Sequence, residues 1–572
     1  MSGPPPIAVD KNIMTAKPPP TSLDRASLED PLYYLKNLQT VVRWVTSYHG
    51  DLLTADEAQT FQQLLQLSTP AQALFARMMI RKGELFRSDK LEYDEIPERA
   101  QALDELSDCG FIDYQPHIDA ADVHKHCRRD ELLDMLQAAE RPVPKSSKKS
   151  ELLTTLQSLP ISDSPAPLTQ WWPDAPFTLI ALRHMETFDR LRLMFFGNLH
   201  QDWSEFVLTE LGHQSYEKVA FNSQSRAFES RADVDNYLTL HRCITLLFEE
   251  TPATKILPLV PTALSNPWLE FRRQRLSFQL GQYAERTGEI ALATDLYTEN
   301  TLDEAKVRLY RVLEKSDRDP HEVLRDLEQD LGNITRPETR LHLGRVQRRL
   351  NRKIGLKAKP VRKPTLPTIE LNLCNTGERV EFSTLAALTN DGTLHGFYTE
   401  NWLFTGLFGL LFWPVLFEPL PGAFFHPFQA GPADLYRADF LRRREVQINA
   451  QLATLDTGGY TGLIKQCWQS KHGTACSLVH WPALSEELID LALAIIPAQH
   501  LKVIFRHLLS DLRNHRRGMP DLSVFDLAQQ SYRLIEVKGP GDKLQDHQTL
   551  WIETMLDNGI PIEVAQVQWR TT

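Results

Sequence analysis

The chain has 572 residues, of which 42% are hydrophobic and 24% charged, with a formal net charge of -11. That length exceeds what one core organises and implies roughly three or four domains of ordinary globular composition. The acidic balance excludes a uniformly basic surface, so any grip on phosphate must come from local patches, and six scattered cysteines without a C-x-x-C pair argue against a zinc site or a disulfide scaffold.

Residues 1–24 carry two proline triplets and read as a disordered tail. The opening MSGPPPIAVDKN lacks the apolar core of a signal peptide. The most apolar stretch, Trp402 to Phe417, is interrupted by Gly406, Gly409 and Pro414 and is short for a membrane span. The expectation is a soluble cytoplasmic chain with no membrane partner.

Residues 25–107 read as a helical domain. Tyr33, Leu35, Leu38, Val41, Val42 and Val45 recur at helical spacing, and Thr54 stands where an N-cap would open the next helix. Residues 108–220 hold a sharper pattern, CRRDELLDMLQ and SSKKSELLTTLQSL, two short helices joined by the proline-broken AAERPVPK. Leu132, Leu133, Leu136, Leu152, Leu153 and Leu156 are expected to face inward. Arg128, Arg129, Lys145, Lys148 and Lys149 crowd the helix starts, where backbone amides and basic side chains together suit phosphates. The pair resembles a SAP module, a small helix-loop-helix that binds duplex DNA; a surface hairpin with a solvated basic rim is the competing reading.

Residues 221–356 are almost wholly helical by pattern. LGQYAERTGEIALATDLY places small and aromatic residues where paired helices would cross, and ENTLDEAKVRLYRVLEK turns Ala305, Leu309 and Val312 inward. A degenerate tetratricopeptide array and a plain helical bundle both fit. Arg272, Arg273, Arg275, Arg345, Arg348 and Arg349 offer basic faces, although charge runs commonly mark solvated helix surfaces. The basic, proline-punctuated segment 357–368 reads as a linker.

Residues 369–572 read as α/β. Ile369 to Leu373 and Arg379 to Phe382 look like short strands, and HGFYTENWLFTGLFGLLFWPVLF like a buried helix with Glu400 at its polar start. A carboxylate there satisfies the helix dipole, or it can serve as a metal ligand facing a sheet. Further on, LSVFDL and YRLIEVKG form a strand pair around the polar run Ala528 to Ser531. Glu536 and Lys538, two apart on a strand, share a face, and Asp521 closes the preceding loop. Carboxylates brought together repel unless a cation lies between them, and oxygen donors favour Mg²⁺ or Mn²⁺. A nearby lysine can orient water or neutralise developing charge on phosphorus. DKLQDHQTLWIETMLDNG then reads as a helix and IEVAQVQW as a strand.

Glu400, LRNHRRGMPDL and LIEVKGPGDKLQDHQ carry a resemblance. Residues 369–572 are similar to the VRR-NUC branch of the PD-(D/E)XK nucleases, and with the helical regions before them the chain resembles a bacterial-type Fanconi-associated nuclease. The resemblance implies a multidomain protein, mainly α-helical before a restriction-endonuclease-like α/β domain. It implies a metal-dependent, phosphodiesterase I-type DNA nuclease that cuts 5′ flaps, digests 5′ to 3′ and acts in interstrand crosslink repair. Carried over residue by residue, Glu400, Asp521, Glu536 and Lys538 are catalytic, and Glu400, Asp521, Glu536 and the Val537 carbonyl hold Mg²⁺ or Mn²⁺. Arg513, Arg516, Arg517, Lys543, His547 and Gln548 join the basic helices as DNA contacts, with Arg506, His507 and His515 in the same basic run. The expected partner is branched or flapped DNA, met by a monomer in the cytoplasm near the nucleoid. A junction resolvase on the same fold, or a DNA-binding scaffold with little catalysis, are the alternatives.

Overall fold

In this computed structural model the described residues are 30–201, 203, 215–334, 336–356, 366–375, 377–390 and 392–570. The tail expected at 1–24 and most of the linker expected at 357–368 fall outside them. The chain divides into two compact units, one of residues 1–214 with 221–223, the other of 215–220 with 224–572.

The first unit opens on helices Tyr33–His49, Ala55–Gln66 and Thr69–Ile80. Thr54 caps the second: its hydroxyl accepts from the Glu57 amide at 3.2 Å, and the Glu57 carboxylate accepts from the Thr54 amide at 3.0 Å, so two orphan donors are satisfied reciprocally. The region also holds a small sheet that periodicity did not reveal, β1 (Leu85–Arg87), β2 (Ile112–Asp113) and β3 (Leu179–Leu182), in the order β1-β3-β2 with both outer strands antiparallel to β3. Its strands are too short to show an alternation.

The two basic helices form as Arg129–Ala138 and Lys149–Gln157. Each begins with two basic residues and has glutamate at the same offset, and the carboxylates of Glu131 and Glu151 accept from the amides of Arg128 and Lys148 at 2.6 and 2.9 Å. Leu132, Leu136, Leu152 and Leu156 are fully buried, while Leu133 and Leu153 are half-buried. Arg129 departs from its expected role. Its guanidinium donates to the carbonyl of Ser147 at 2.9 Å and to that of Lys145, so it staples the loop between the helices.

In the second unit, helices Arg231–Phe248, Pro267–Thr287, Ile290–Thr298, Asp303–Leu313, Pro320–Asn333 and Pro337–Lys353 follow one another. The crossing expected in LGQYAERTGEIALATDLY exists: a Cβ on Gly281 would stand 2.6 Å from the Tyr297 ring, so the helices meet there only because position 281 has no side chain. Several arginines of this region are engaged in ion pairs. Arg349 pairs with Glu314 at 2.6 Å, Arg275 with Glu304 at 3.5 Å, and Arg345 reaches Asp546 at 2.6 Å.

The rest of this unit is built on a five-stranded mixed sheet, β4 (Thr368–Leu373), β5 (Leu394–Tyr398), β6 (Leu522–Asp526), β7 (Ser531–Lys538) and β8 (Ile562–Trp569), in the order β4-β8-β7-β6-β5. β4 and β7 run parallel to β8, and β5 and β7 antiparallel to β6. Leu522, Val524, Ile535, Val537, Ala565 and Val567 make one apolar face, covered by Val380, Leu385 and Leu388. By alternation Leu534, Glu536 and Lys538 face the other way.

Two expectations are corrected here. Arg379 to Phe382 is not a strand; helix Val380–Leu388 begins there, because the four-residue run continues into STLAAL and its apolar residues then meet the sheet once per turn. HGFY is not helical either. It is strand β5, and the buried helix runs Leu403–Leu411, every residue of it buried, followed by one further short helix at Trp413–Leu416. Glu400 therefore sits in a strand-to-helix turn.

Candidate active site

The turn after β5 is bonded directly to the loop before β6. The amides of Thr399 and Glu400 both donate to the Asp521 carbonyl, at 2.8 and 3.1 Å, which fixes Glu400 beside Asp521 despite their separation in sequence. Asn401 takes the left-handed conformation, φ 58°, uncommon for a residue with a side chain but tolerated by asparagine. Its amide group donates to Glu400 Oε1 at 3.1 Å and its oxygen accepts from the Met519 amide at 3.4 Å. The other Glu400 oxygen accepts from the Tyr398 hydroxyl, which itself accepts from Arg379 at 3.1 Å.

The β6–β7 hairpin supplies the remainder. Asp521 Oδ2 accepts from the Val537 amide at 2.8 Å, so the loop acid is tied to the strand that carries Glu536. Lys538 Nζ lies 2.7 Å from Glu536 Oε1. Gln548, on helix Asp546–Asp557, donates to Glu536 Oε1 at 2.6 Å and accepts from Lys538 Nζ at 3.3 Å. Glu536 is 1% exposed and Asp521 7%.

Burial and like charge set the electrostatics. The Asp521 carboxyl is pushed well above the usual carboxylate range by desolvation, then by the charge of Glu536 and, beyond the opposing Val537 hydrogen bond, by that of Glu400. Glu536 is raised as well, by burial first, with Lys538 opposing and Glu400 and Glu381 adding repulsion. Lys538 thus offsets one charge of a carboxylate group that has more. Among the described residues no three His, Cys, Asp or Glu side chains stand as a preformed metal cage. The donor set nevertheless suits a hard cation: buried carboxylate oxygens that repel one another are what such an ion stabilises.

The expected DNA contacts divide. Arg513, Arg517 and Lys543 are exposed, as are Arg128, Lys145 and Lys148, and Lys149 is half-exposed. Arg516 is held by Tyr436, which accepts a 3.1 Å hydrogen bond and lies 4.6 Å beneath its guanidinium. His547 is half-buried against Gly518, where an added Cβ would stand 2.3 Å from its ring. Gln548 spends its amide group on Glu536 and Lys538 inside the site. His507 and His515 are not part of a basic surface: they are buried, stacked with centroids 4.0 Å apart, and packed edge-on to Trp551. Tyr398, Asn401, Arg379 and Glu381 were missed, since only tertiary structure shows what they touch.

Two family models match, "FAN1, HTH domain" over residues 32–113 and "VRR-NUC domain" over residues 457–569. The Fanconi-associated nuclease 1 homolog of Pseudomonas aeruginosa is 38% identical over 560 residues, spanning 96% of this chain and 98% of the relative. That of Arabidopsis thaliana is 27% identical, covering 94% of this chain and 67% of the relative, and Fanconi-associated nuclease 1 of Homo sapiens is 24% identical, covering 94% and 62%. The crystal structure of paFAN1 bound to 5′-flap DNA carrying a 2-nucleotide flap and a gap superposes with a TM-score of 0.85 at 38% identity, over 96% of this chain and all of that one.

Proposed function

Because the chain belongs to the Fanconi-associated nuclease family, we propose that it is a metal-dependent, structure-specific DNA nuclease, a 5′-flap endonuclease and 5′-to-3′ exonuclease serving interstrand crosslink repair. The observation that carries this reading is the buried Asp521–Glu536–Lys538 constellation on one hairpin, with Glu400 bonded in beside it through the Asp521 carbonyl. The flap DNA held by paFAN1, a close structural match, supports the substrate class.

In this reading Glu400, Asp521, Glu536 and the Val537 carbonyl hold Mg²⁺ or Mn²⁺, which supplies Lewis-acid stabilisation of charge on the scissile phosphate. Lys538, fixed by Glu536 and Gln548, orients the attacking water or neutralises charge that develops on the phosphorane. Tyr398 and Asn401 keep Glu400 in place. Arg513, Arg517 and Lys543 grip backbone phosphates near the cut. Residues 108–220 serve as a SAP-like DNA-binding region through Arg128, Lys145, Lys148 and Lys149, and residues 221–356 as a TPR-like helical scaffold. The protein acts as a monomer in the cytoplasm, near the nucleoid.

Labelled 5′-flap, 3′-flap, four-way junction and plain duplex DNA, incubated with Mg²⁺ or Mn²⁺ and with chelator, test this beside Asp521→Ala. The expected result is 5′-flap cleavage that requires metal and disappears in the variant. Equal cutting of all substrates would refute flap specificity, and variant activity within a few-fold of wild type would refute the site.

A further inference from the structure

The turn that holds Glu400 also presents Trp402, 39% exposed, to a cavity of about 330 Å³ lined by Asn401, Ser477, His480, Arg516 and Arg517. No role described above uses this cavity. One face of the indole rests on the His480 ring, with centroids 4.3 Å apart and planes 35° from parallel. The pairing is built in by the helix that follows. A Cβ on Gly406 would stand 2.3 Å from Leu484, and one on Gly409 2.7 Å from Val479, so two positions without side chains let segment 478–484 run against helix Leu403–Leu411 and deliver His480 onto the indole. The helix buries all nine of its own residues, while Trp402 at its N-cap stays part-exposed. The rim is cationic: Arg517 is exposed, and Arg516 is held in place over Tyr436.

We propose that this cavity receives one unstacked nucleobase of the substrate DNA, laid on Trp402 with His480 backing the indole, while Arg517 holds the adjoining phosphate. The proposal rests on the nuclease reading and specifies how that site selects its substrate. Trp402 lies two residues beyond Glu400, on the turn bonded to Asp521, so a base seated there belongs to a nucleotide next to the scissile phosphate. Every base has a π face, so the contact is indifferent to sequence. It is sensitive to structure, because a nucleotide leaves the stack cheaply only where it is unpaired or at a branch. A stacking shelf beside the carboxylates thereby favours branched over plain duplex DNA without reading a base edge.

A cycle of protein and substrate changes tests this. A tetrahydrofuran abasic analogue is placed in turn at each nucleotide flanking the cut in a 5′-flap substrate, and single-turnover cleavage is measured for wild type, Trp402→Ala and Trp402→Phe. At one position, loss of the base slows wild type about 5- to 150-fold, the range expected for one stacked base. Trp402→Ala slows cleavage of intact DNA by a similar factor, gains no further loss from the abasic analogue at that position, and Trp402→Phe recovers most of the rate. Penalties that multiply at every position would overturn the base pocket, as non-interacting sites do. The wild-type series is decisive by itself: if no single base matters, the pocket is refuted however the variants fold. Wild-type protein that cuts no DNA overturns the nuclease reading and this one together, whereas normal cutting by Trp402→Ala overturns this one alone.

Discussion

Gln548→Met separates a residue that positions the active site from one that touches DNA. Methionine keeps the length of the side chain and removes two interactions, the 2.6 Å hydrogen bond to Glu536 and the 3.3 Å hydrogen bond from Lys538. Glu536 is 1% exposed, so water cannot replace the missing donor. A hydrogen bond to a charged group is worth about 1.5–3 kcal/mol. If that loss falls on the transition state, the single-turnover rate on saturating flap DNA drops roughly 10- to 150-fold. The substrate Kd, measured by fluorescence anisotropy in Ca²⁺, should stay within about 3-fold of wild type, since both polar atoms are engaged by Glu536 and Lys538 within the protein. Gln548 also accepts from the Gln545 amide at 3.0 Å, so the variant should lose up to about 1 kcal/mol of stability from the helix start as well. A raised Kd with an unchanged rate at saturation would refute this reasoning and return Gln548 to the DNA surface.

Burial holds His507 near a pKa of about 3, below the 6.5 or so of the unfolded chain. The unfolded state therefore binds the extra proton below that value, and stability present above pH 6.5 is lost as pH falls, by about 1.4 kcal/mol at pH 5.5. Urea melts at pH 7.5 and 5.5 should show this for wild type and a smaller difference for His507→Gln; parallel losses would refute it. Lys148→Ala with Lys149→Ala should weaken flap binding and reduce the slope of log K against log salt by about 0.9 for each phosphate that is no longer neutralised, with an unchanged slope meaning solvated lysines. Arg129→Ala, which removes the staple on the Ser147 and Lys145 carbonyls, should show its effect as faster proteolysis of loop 139–147. Tyr398→Phe frees one oxygen of Glu400 and should cost roughly 10-fold in rate at unchanged Kd.

Half of the candidate site was legible as local pattern. Asp521, Glu536 and Lys538 lie within one hairpin whose turn and alternation are written in a short window, and the structure shows that hairpin with Leu522 opposite Ile535. Glu400 was legible as a residue and not as a position, because the bonds that place it run from its own amide to the Asp521 carbonyl. Tyr398 and Asn401 stand close to Glu400 in sequence but carry no pattern that marks them as its hydrogen-bond partners, and Gln548, legible as a polar residue of the site, reads as a DNA contact until its bonds to Glu536 and Lys538 are seen. Arg379 to Phe382 failed for a simpler reason. Four residues with Val380 and Phe382 alternating satisfy a strand period, and only the longer run through Leu388 shows that the sheet is met once per helical turn.

Charge was the least legible property, and the direction of the error is informative. Arg506, His507, Arg513, His515, Arg516 and Arg517 read as one basic run, yet His507 and His515 lie stacked in the core against Trp551, where burial keeps His507 neutral. Arg129, Arg275, Arg345 and Arg349 are likewise committed to carbonyls and carboxylates within the protein. A guanidinium whose five donors are arranged in a fork is the group best suited to such internal ties, so arginines are the residues that sequence counting most overstates as phosphate contacts. Of the expected DNA contacts, those left exposed are Arg128, Lys145 and Lys148 at the starts of the paired helices and in the loop between them, and Arg513, Arg517 and Lys543 on either side of the hairpin in sequence, two small groups on an acidic chain. Long-range attraction for DNA is weak under that arrangement. Under the proposed reading, affinity then depends on a substrate that reaches specific contacts, as a flap with an unstacked nucleotide would and a uniform duplex would not.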